Sequence, residues 1–203
     1  MQIVLFDIDP NMTDAWKKEF QEDDDVIIEN TEFSQLMNSR KYKFDTVVSA
    51  SNSFGIMDGG LDKAYANYWP QLEKNVRRAI HEAFLDEQPV GTSLIVEIPK
   101  TRGMRLIHTV TMRTPMPVFD VRIVYTAMRS SLVAAYKANS SWVLIPAFCH
   151  LTGGVGHEIT ALLMHRAYAD FNNSLKGRFY EDMTWETINA YRVIDDALIG
   201  RFI

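Results

Sequence analysis

The sequence is poor in several features, and each shortage narrows the classes of protein to which it can belong. Its single cysteine, Cys149, excludes an internal disulfide framework and a cysteine-rich zinc site. No apolar run reaches the roughly 18 residues that a membrane-spanning helix needs. Basic residues are outnumbered, since 21 Lys and Arg stand against 26 Asp and Glu for a net charge of −5. This balance argues against nucleic acid or an anionic membrane as the main partner.

The start of the chain also lacks the features of a targeting segment. The stretch MQIVLFDIDP has no basic residue ahead of its apolar run, and two acids follow that run directly. We therefore expect no signal peptide and a cytoplasmic protein. Cys149 is expected to be a small buried residue at a strand end rather than a reactive thiol.

Short apolar runs alternate along the chain with longer amphipathic runs, which is typical of an α/β fold. Continuous apolar runs indicate strands that are covered on both faces. Strands are predicted at 3–8, 25–29, 46–50, 93–98, 106–111 and 142–147. Helices are predicted at 13–20, 62–69, 71–85, 121–137 and 158–171. We expect Thr13 to cap the first helix and Pro70 to separate the second from the third.

The length suits one domain covering residues 1–203. Within it, residues 176–203 are expected to form a C-terminal extension. The spacing of apolar residues over 185–203 predicts a terminal helix that packs on the rest of the domain.

The first segment that could carry chemistry follows the third predicted strand, where residues 49–62 read SASNSFGIMDGGLD. Ligands of open α/β sheets bind beyond the carboxyl ends of the strands. The backbone amides of Gly59 and Gly60 could cradle a phosphate or a ribose, and Asn52 can donate and accept hydrogen bonds as a sugar diol requires. The alternative is an ordinary strand-to-helix connection with glycines in its turn.

Asp62 closes this segment and has two interpretations. Near the start of a helix, a carboxylate is stabilised by the helix dipole and by free N–H groups, so Asp62 could be a capping residue. Held beside a sugar, the same carboxylate could orient or deprotonate a water molecule. The neighbouring Asp58 is expected to be a solvated turn residue.

The second segment, IPAFCHLTGGVG at 145–156, again leads from an apolar strand through glycines into a helix. Backbone amides and a helix N-terminus make a natural anion site. His150 and His157 flank this turn and are better placed to meet an anion than the other histidines. His108, inside the strand of a third segment at 105–115, is either a hydrogen-bonded core histidine or a base. No two histidines have a convincing metal spacing, so we predict no metal and no cofactor.

Taken in order, these segments resemble the macro-domain family. Ser49–Asn52 and then Gly59–Asp62 are similar to its signature of strand, Asn-Ala-Ala-Asn, variable loop, Gly-Gly, apolar residue and Asp. The sequence of residues 52–62 particularly resembles that of a bacterial and phage branch of the family. The strand with His108 is similar to the family's Ile-His-Thr-Val strand. Thr31–Ser34 resembles the segment Gly-Asp-Ile-Thr, whose Asp holds the adenine amino group, and the resemblance covers roughly 1–175.

The resemblance implies a three-layer α/β/α sandwich around a central mixed, largely parallel sheet, with a cleft for ADP-ribose. It implies adenine beside Glu32 and Phe33, and the distal ribose beside Ser51, Asn52, Gly59 and Gly60. It implies a diphosphate loop made of Thr152, Gly153, Gly154, Val155 and Gly156. The chain departs from the family at Ser49, where many members have Asn, at Glu32, where Asp is usual, and at 148–151, which many members lack.

The resemblance also implies a function. Family members bind ADP-ribose, and some hydrolyse a bond at its distal ribose, either an ADP-ribosyl ester or the phosphate of ADP-ribose 1″-phosphate. Asn52 and Asp62 would then be catalytic, with His108 and His157 as candidate bases. One alternative is a non-catalytic reader of ADP-ribosylated proteins, or a protein that sequesters a signalling nucleotide derived from NAD. Another is a relic of the fold that binds no nucleotide.

Overall fold

The structure is a computed structural model, and it describes residues 1–177 and 183–186. Strands and helices alternate through this part of the chain. The strands are β1 (Gln2–Asp7), β2 (Val26–Asn30), β3 (Thr46–Asn52), β4 (Ser93–Glu97), β5 (Arg105–Met112) and β6 (Trp142–Pro146). The helices are α1 (Pro10–Glu19), α2 (Phe33–Ser39), α3 (Gly60–Tyr68), α4 (Leu72–Phe84), α5 (Arg122–Lys137) and α6 (His157–Leu175).

The strands form one mixed sheet in the order β2-β1-β6-β3-β5-β4. All neighbouring pairs are parallel except β4 with β5, which is antiparallel. The mixed, largely parallel sheet that was expected is therefore confirmed. Because the parallel strands all end at the same edge, the segments that follow β1, β6 and β3 meet near the middle of that edge.

Helices cover both faces of the sheet and give the three layers that were expected. Successive strand residues point to opposite faces. Accordingly, Ile3 and Leu5 of β1 belong to one apolar core, which includes residues of α1, α5 and α6. Val4 and Phe6 belong to the other core, which includes residues of α2, α3 and α4. Both faces of β1 are thus buried, as its continuous apolar run predicts.

Helix α1 begins three residues earlier than predicted, and its cap is a different residue. Asp9 is the N-cap, with its side chain accepting a hydrogen bond from the amide of Asn11, and Pro10 occupies the first turn. Thr13 is buried inside the helix, where its hydroxyl donates to the carbonyl oxygen of Pro10 at 3.0 Å. Asp followed by Pro is a strong helix start, since Pro has the required φ and needs no amide partner. The capping bond fixes Asp9 just beyond the end of β1.

The other predicted helices are confirmed with small shifts at their ends, and α3 and α4 are separated around Pro70 as expected. Helix α2 was not predicted, because its seven residues are too short to show a clear period. Most of the predicted terminal helix at 185–203 lies outside the described residues, as does most of the extension at 176–203. Among the described helices, none has both the length and the apolarity to cross a membrane.

Candidate functional site

A cleft of about 830 Å³ lies at the carboxyl edge of the sheet, where the segments after β1, β2, β3 and β6 come together. Its size suits a nucleotide-sized ligand. Residues from both glycine-rich segments line it, together with the start of α2. The lining residues predicted from the sequence are Glu32, Phe33, Ser51, Asn52, Gly59, Gly60, Asp62, Thr152 and Gly153. A separate surface depression of about 580 Å³, lined by residues of α3, α4 and the turn between them, contains none of these.

Asp62 is a buried carboxyl group in the cleft wall. Ser51 Oγ donates to Asp62 Oδ1 at 2.9 Å and lies 2.8 Å from Ser49 Oγ. Burial raises the pKa of Asp62 to about 7, and the hydrogen bond from Ser51 opposes that rise. Within the described residues, Ser51 is its hydrogen-bonding partner, and no bond to a helix amide supports the capping interpretation. At neutral pH this carboxyl can act as an acid or a base.

The side chain of Asn52 organises the loop that follows β3. Its Oδ1 accepts from the amides of Phe54 and Ile56 at 3.1 and 3.3 Å, and its Nδ2 donates to the carbonyl oxygen of Ile56 at 2.8 Å. Sequence reasoning expected this side chain to bind sugar hydroxyls. In the structure, one Nδ2 hydrogen is left for a ligand, because the other polar positions hold the turn.

Gly59 and Gly60 differ in what the backbone requires of them. Gly60 has a φ of +52°, a conformation that favours glycine. Gly59 has an ordinary extended conformation, and a Cβ built on it would have no atom within 4 Å. A side chain at position 59 would therefore meet open space in the cleft without straining the loop.

The loop between β6 and α6 directs only part of the predicted set of amides to the cleft. The amide of Gly154 donates to the carbonyl oxygen of His150, and that of Val155 donates to that of Cys149. Gly153 is required, because a Cβ there would lie 2.4 Å from Cys149 O.

Residues 151–153 line the cleft, and their amides have no acceptor within the described residues. Gly154, Val155 and Gly156, which were predicted to bind the ligand, are not among the lining residues. The amides that face the cleft therefore include those of Thr152 and Gly153 from the predicted set, whereas the loop closes on itself at Gly154 and Val155.

Glu32 and Phe33 lie at the start of α2, where the sequence predicted the adenine site. Glu32 is exposed, and its side chain makes no capping hydrogen bond. Phe33 is buried, and its ring lies 4.5 Å from that of Tyr65 and 5.3 Å from that of Trp69, measured between centroids. Phe33 therefore supports the wall of the cleft, whereas the carboxylate of Glu32 is free to meet a ligand.

The two histidines predicted as candidate bases do not line the cleft. His108 is fully buried, its Nδ1 lies 2.8 Å from Oε1 of Gln88, and burial lowers its pKa to about 4. This environment is that of a core histidine. His157 Nε2 lies 2.8 Å from Oδ2 of Asp9, and the hydrogen bond from His157 is the main reason that the pKa of Asp9 falls to about 2. The expectation for Cys149 is confirmed, since it is buried and burial raises the pKa of its thiol to about 12.

Asp7 is a cleft residue that sequence reasoning missed. It ends β1, it is buried, and its Oδ1 accepts from the amide of Asp9 at 2.9 Å. Burial raises the pKa of Asp7. The rule that drew attention to the ends of the other strands would have found it, because β1 is also a parallel strand that ends at this edge.

Acidic side chains predominate in the lining of the cleft. Asp7, Glu32, Asp58 and Asp62 all contribute to it, and the described lining contains no Lys or Arg. Positive potential for an anionic ligand therefore has to come from backbone amides, and protonation of the acids would remove the negative charge that opposes it.

No protein-family model and no curated protein matches the sequence. Solved structures do. The macrodomain of Mycobacterium tuberculosis DarG matches with a TM-score of 0.55 and 15% identity over 64% of this chain and 84% of that one. The Trypanosoma brucei macrodomain in complex with ADP matches with a TM-score of 0.52 and 18% identity over 64% of this chain and 52% of that one. Thermosipho africanus DarTG in complex with ADP-ribose matches with a TM-score of 0.52 and 16% identity over 62% of this chain and 35% of that one. At these identities, the likeness shows the macrodomain fold.

Proposed function

Starting from its macrodomain fold, we propose that this chain binds ADP-ribose or a close derivative in the cleft and hydrolyses a bond at the distal ribose. The observation that carries the proposal is the convergence of three segments, each singled out in the sequence for its own reasons, on one cleft of nucleotide size. The structures solved with ADP and with ADP-ribose among its structural neighbours support a nucleotide of this class.

The proposed binding mode follows the order of the strands. Adenine would lie against Glu32, whose carboxylate can accept a hydrogen bond from the exocyclic amino group. The diphosphate would accept hydrogen bonds from the amides of 151–153, which have no acceptor in the part of the chain that the structure describes. The distal ribose would lie against Gly59 and the remaining Nδ2 hydrogen of Asn52.

Charge makes this binding sensitive to pH. ADP-ribose carries a doubly negative diphosphate, and the cleft is lined by carboxyl groups, with no Lys or Arg among the described lining residues. Burial raises the pKa of both Asp7 and Asp62, that of Asp62 to about 7. Protonation of Asp62 removes negative charge from the cleft, so affinity should increase as the pH falls through neutrality.

Hydrolysis would depend on Asp62. Cleavage at the anomeric carbon builds positive, oxocarbenium-like charge, which a nearby carboxylate stabilises. As a base, Asp62 would take a proton from the attacking water while the bond to the leaving group breaks. The hydrogen bond from Ser51 holds the carboxyl group in one orientation, and a pKa of about 7 leaves both protonation states populated at neutral pH.

The second candidate function is non-catalytic binding, either as a reader of ADP-ribosylated proteins or as a sequestering protein. Two observations favour it. Neither His108 nor His157 lines the cleft, so neither predicted base is available beside Asp62. Most of the polar capacity of Asn52 is also spent on its own loop.

Calorimetry with ADP-ribose, followed by turnover assays on ADP-ribose 1″-phosphate and on ADP-ribosylated protein and nucleic acid, tests the proposal. We expect a dissociation constant on the order of micromolar, or about −8 kcal/mol. Binding together with turnover supports the hydrolase. Binding without turnover of any of these substrates supports the second candidate, and absence of binding refutes both.

A further inference from the structure

Three side chains that the proposed function does not use meet where the turn after β1 packs against the loop before α6. They are Asp9, His150 and His157, and one donor atom from each lies within 4.8 Å of the others. Asp9 Oδ2 is 2.8 Å from Nε2 of His157 and 3.3 Å from Nε2 of His150. The histidines are 141 and 148 positions away from Asp9, so no spacing in the sequence reveals the group.

Hydrogen bonds outside the cluster fix the donor atoms. Oδ1 of Asp9 accepts from the amide of Asn11 at 2.9 Å as the cap of α1, which leaves Oδ2 for the histidines. Nδ1 of His150 lies 3.3 Å from the carbonyl oxygen of Val155, to which it can donate. Metal-binding histidines characteristically donate their second ring N–H to a backbone carbonyl or a carboxylate in this way.

The tautomer of His150 decides which of its two contacts is a hydrogen bond. If Nδ1 of a neutral His150 carries the proton that Val155 accepts, its Nε2 presents a lone pair towards Oδ2 of Asp9. A contact of 3.3 Å between two lone pairs is unfavourable unless a proton or a cation lies between them. With this tautomer, a positive charge at its centre stabilises the cluster.

We propose that Asp9, His150 and His157 bind a divalent transition-metal ion, for which Zn²⁺ is the best fit. Two imidazoles and one carboxylate form a ligand set that zinc accepts, and three protein ligands leave a fourth position for water or a ligand oxygen. Bonds of about 2.0–2.1 Å in a tetrahedron separate the donors by about 3.3 Å. The contact between Asp9 and His150 already has this length, and that between Asp9 and His157 needs to open by about 0.5 Å.

The surroundings allow an ion to enter and stay. The side chains of His150, Asp9 and His157 are 9%, 25% and 35% exposed, so the cluster is partly dehydrated but reachable from solvent. The N-termini of α1 and α6 both lie here, and each carries about half an elementary positive charge. The full negative charge of Asp9 offsets both, so the helix dipoles do not exclude a cation.

The ion would also act on the neighbouring cleft. His150 lines the cleft beside the amides of 151–153, where the described lining has no Lys or Arg. A divalent cation on His150 would supply positive charge next to these amides. This consequence rests on the proposed function, whereas the metal site itself rests on its own geometry.

Zinc binding to the full chain tests the site without any nucleotide. The protein is stripped with a chelator and titrated with Zn²⁺ alone against a chromophoric zinc chelator. We expect one ion per chain, with binding weakened at least ~100-fold in His157→Gln and in Asp9→Asn, since even indirect partners of a metal site are worth 10–100-fold. Asn is itself a good N-cap, so Asp9→Asn keeps the start of α1.

A matched control is available elsewhere in the chain. His165 Nε2 lies 3.1 Å from Asp23 Oδ2, with side chains that are 31% and 23% exposed, and this pair is not part of a three-ligand group among the described residues. His165→Gln should leave zinc binding unchanged. Equal zinc affinity in the parent and His157→Gln, or an equal loss in His165→Gln, would overturn the proposal and leave an ion pair only. If the cluster variants fail to fold, the anomalous signal from zinc-soaked crystals of the parent decides, and no peak at the cluster refutes the site.

Discussion

Replacing Asp62 with Asn should make the protein more stable and less active at the same time. The pKa of this carboxyl group rises from 3.8 to about 7 on folding, mainly through burial. The pKa rises by about three, and a change of one in a pKa corresponds to about 1.4 kcal/mol. Ionisation of Asp62 in the folded protein therefore costs about 4 kcal/mol of stability above pH 7. Asn has nearly the same shape, carries no charge, and can still accept the hydrogen bond from Ser51.

The sign of the pH dependence follows from the direction of this pKa. Between pH 4 and pH 7 the folded state binds a proton at Asp62 that the unfolded state has released, so the free energy of unfolding falls as the pH rises. The gain from Asp62→Asn should therefore be small near pH 4 and grow to as much as ~4 kcal/mol at pH 8. For a chain of this size, that gain is an upward shift of about 8–16 °C in Tm.

Urea unfolding of the parent and of Asp62→Asn at pH 4.5 and pH 8 measures the gain, and turnover of the best substrate is measured on the same samples. Turnover should fall by ~10²–10⁴-fold, the range for a lost acid–base group. Asp58→Asn, an exposed acid that lines the same cleft, is the control and should change the free energy of unfolding by less than ~0.5 kcal/mol. If Asp62→Asn is less stable than the parent at pH 8, the carboxylate stabilises the start of α3 and the reasoning fails. Unchanged turnover would remove its catalytic role.

The remaining predictions concern binding of ADP-ribose, measured by calorimetry. Gly59→Glu should weaken it at least ~10-fold, because the new carboxylate enters open space in the cleft and repels phosphate, whereas Gly156→Glu, outside the lining, should not. Equal losses in the two variants would restore the sequence-based diphosphate loop. Glu32→Ala should cost roughly 1.5–3 kcal/mol if the carboxylate accepts from adenine, because the acceptor is removed, and unchanged affinity would move adenine elsewhere. Affinity of the parent should increase from pH 8 to pH 6 as Asp62 gains its proton, and the increase should be smaller in Asp62→Asn.

The fold was accessible from the sequence because its signals are local and repeated. Strands that are buried on both faces have long apolar runs, and the helices between them have a clear period. Two helices are exceptions: the short α2 is not predicted, and α1 is predicted to begin at the wrong cap, Thr13. Helix α1 begins instead at Asp9, whose side chain caps it, and at Pro10, whose φ already suits a helix. The Asp-Pro pair is visible in the sequence and predicts this start.

The sequence predicted the site only in those parts that strand ends and glycines indicate. The convergence of Asn52, Asp62 and Thr152 on one cleft follows from the topology of a parallel sheet. The topology does not predict which amides remain free to bind a ligand, because the amides of Gly154 and Val155 donate to carbonyl oxygens of their own loop.

The pairing of Asp9 with His157 joins residues 148 positions apart, and it depends on how two helix starts pack together. The prediction of no metal rested on histidine spacing along the chain. It therefore could not take this contact into account.

Calorimetric titration of the full chain with ADP-ribose at pH 6.5, run side by side with Gly59→Glu, tests the central claim most directly. The account predicts binding of one nucleotide per chain with a dissociation constant on the order of micromolar in the parent. It also predicts a loss of at least ~10-fold in the variant, whose fold the substitution should leave intact. A parent that binds no ADP-ribose, or a folded Gly59→Glu that binds it equally well, would contradict the assignment of this cleft.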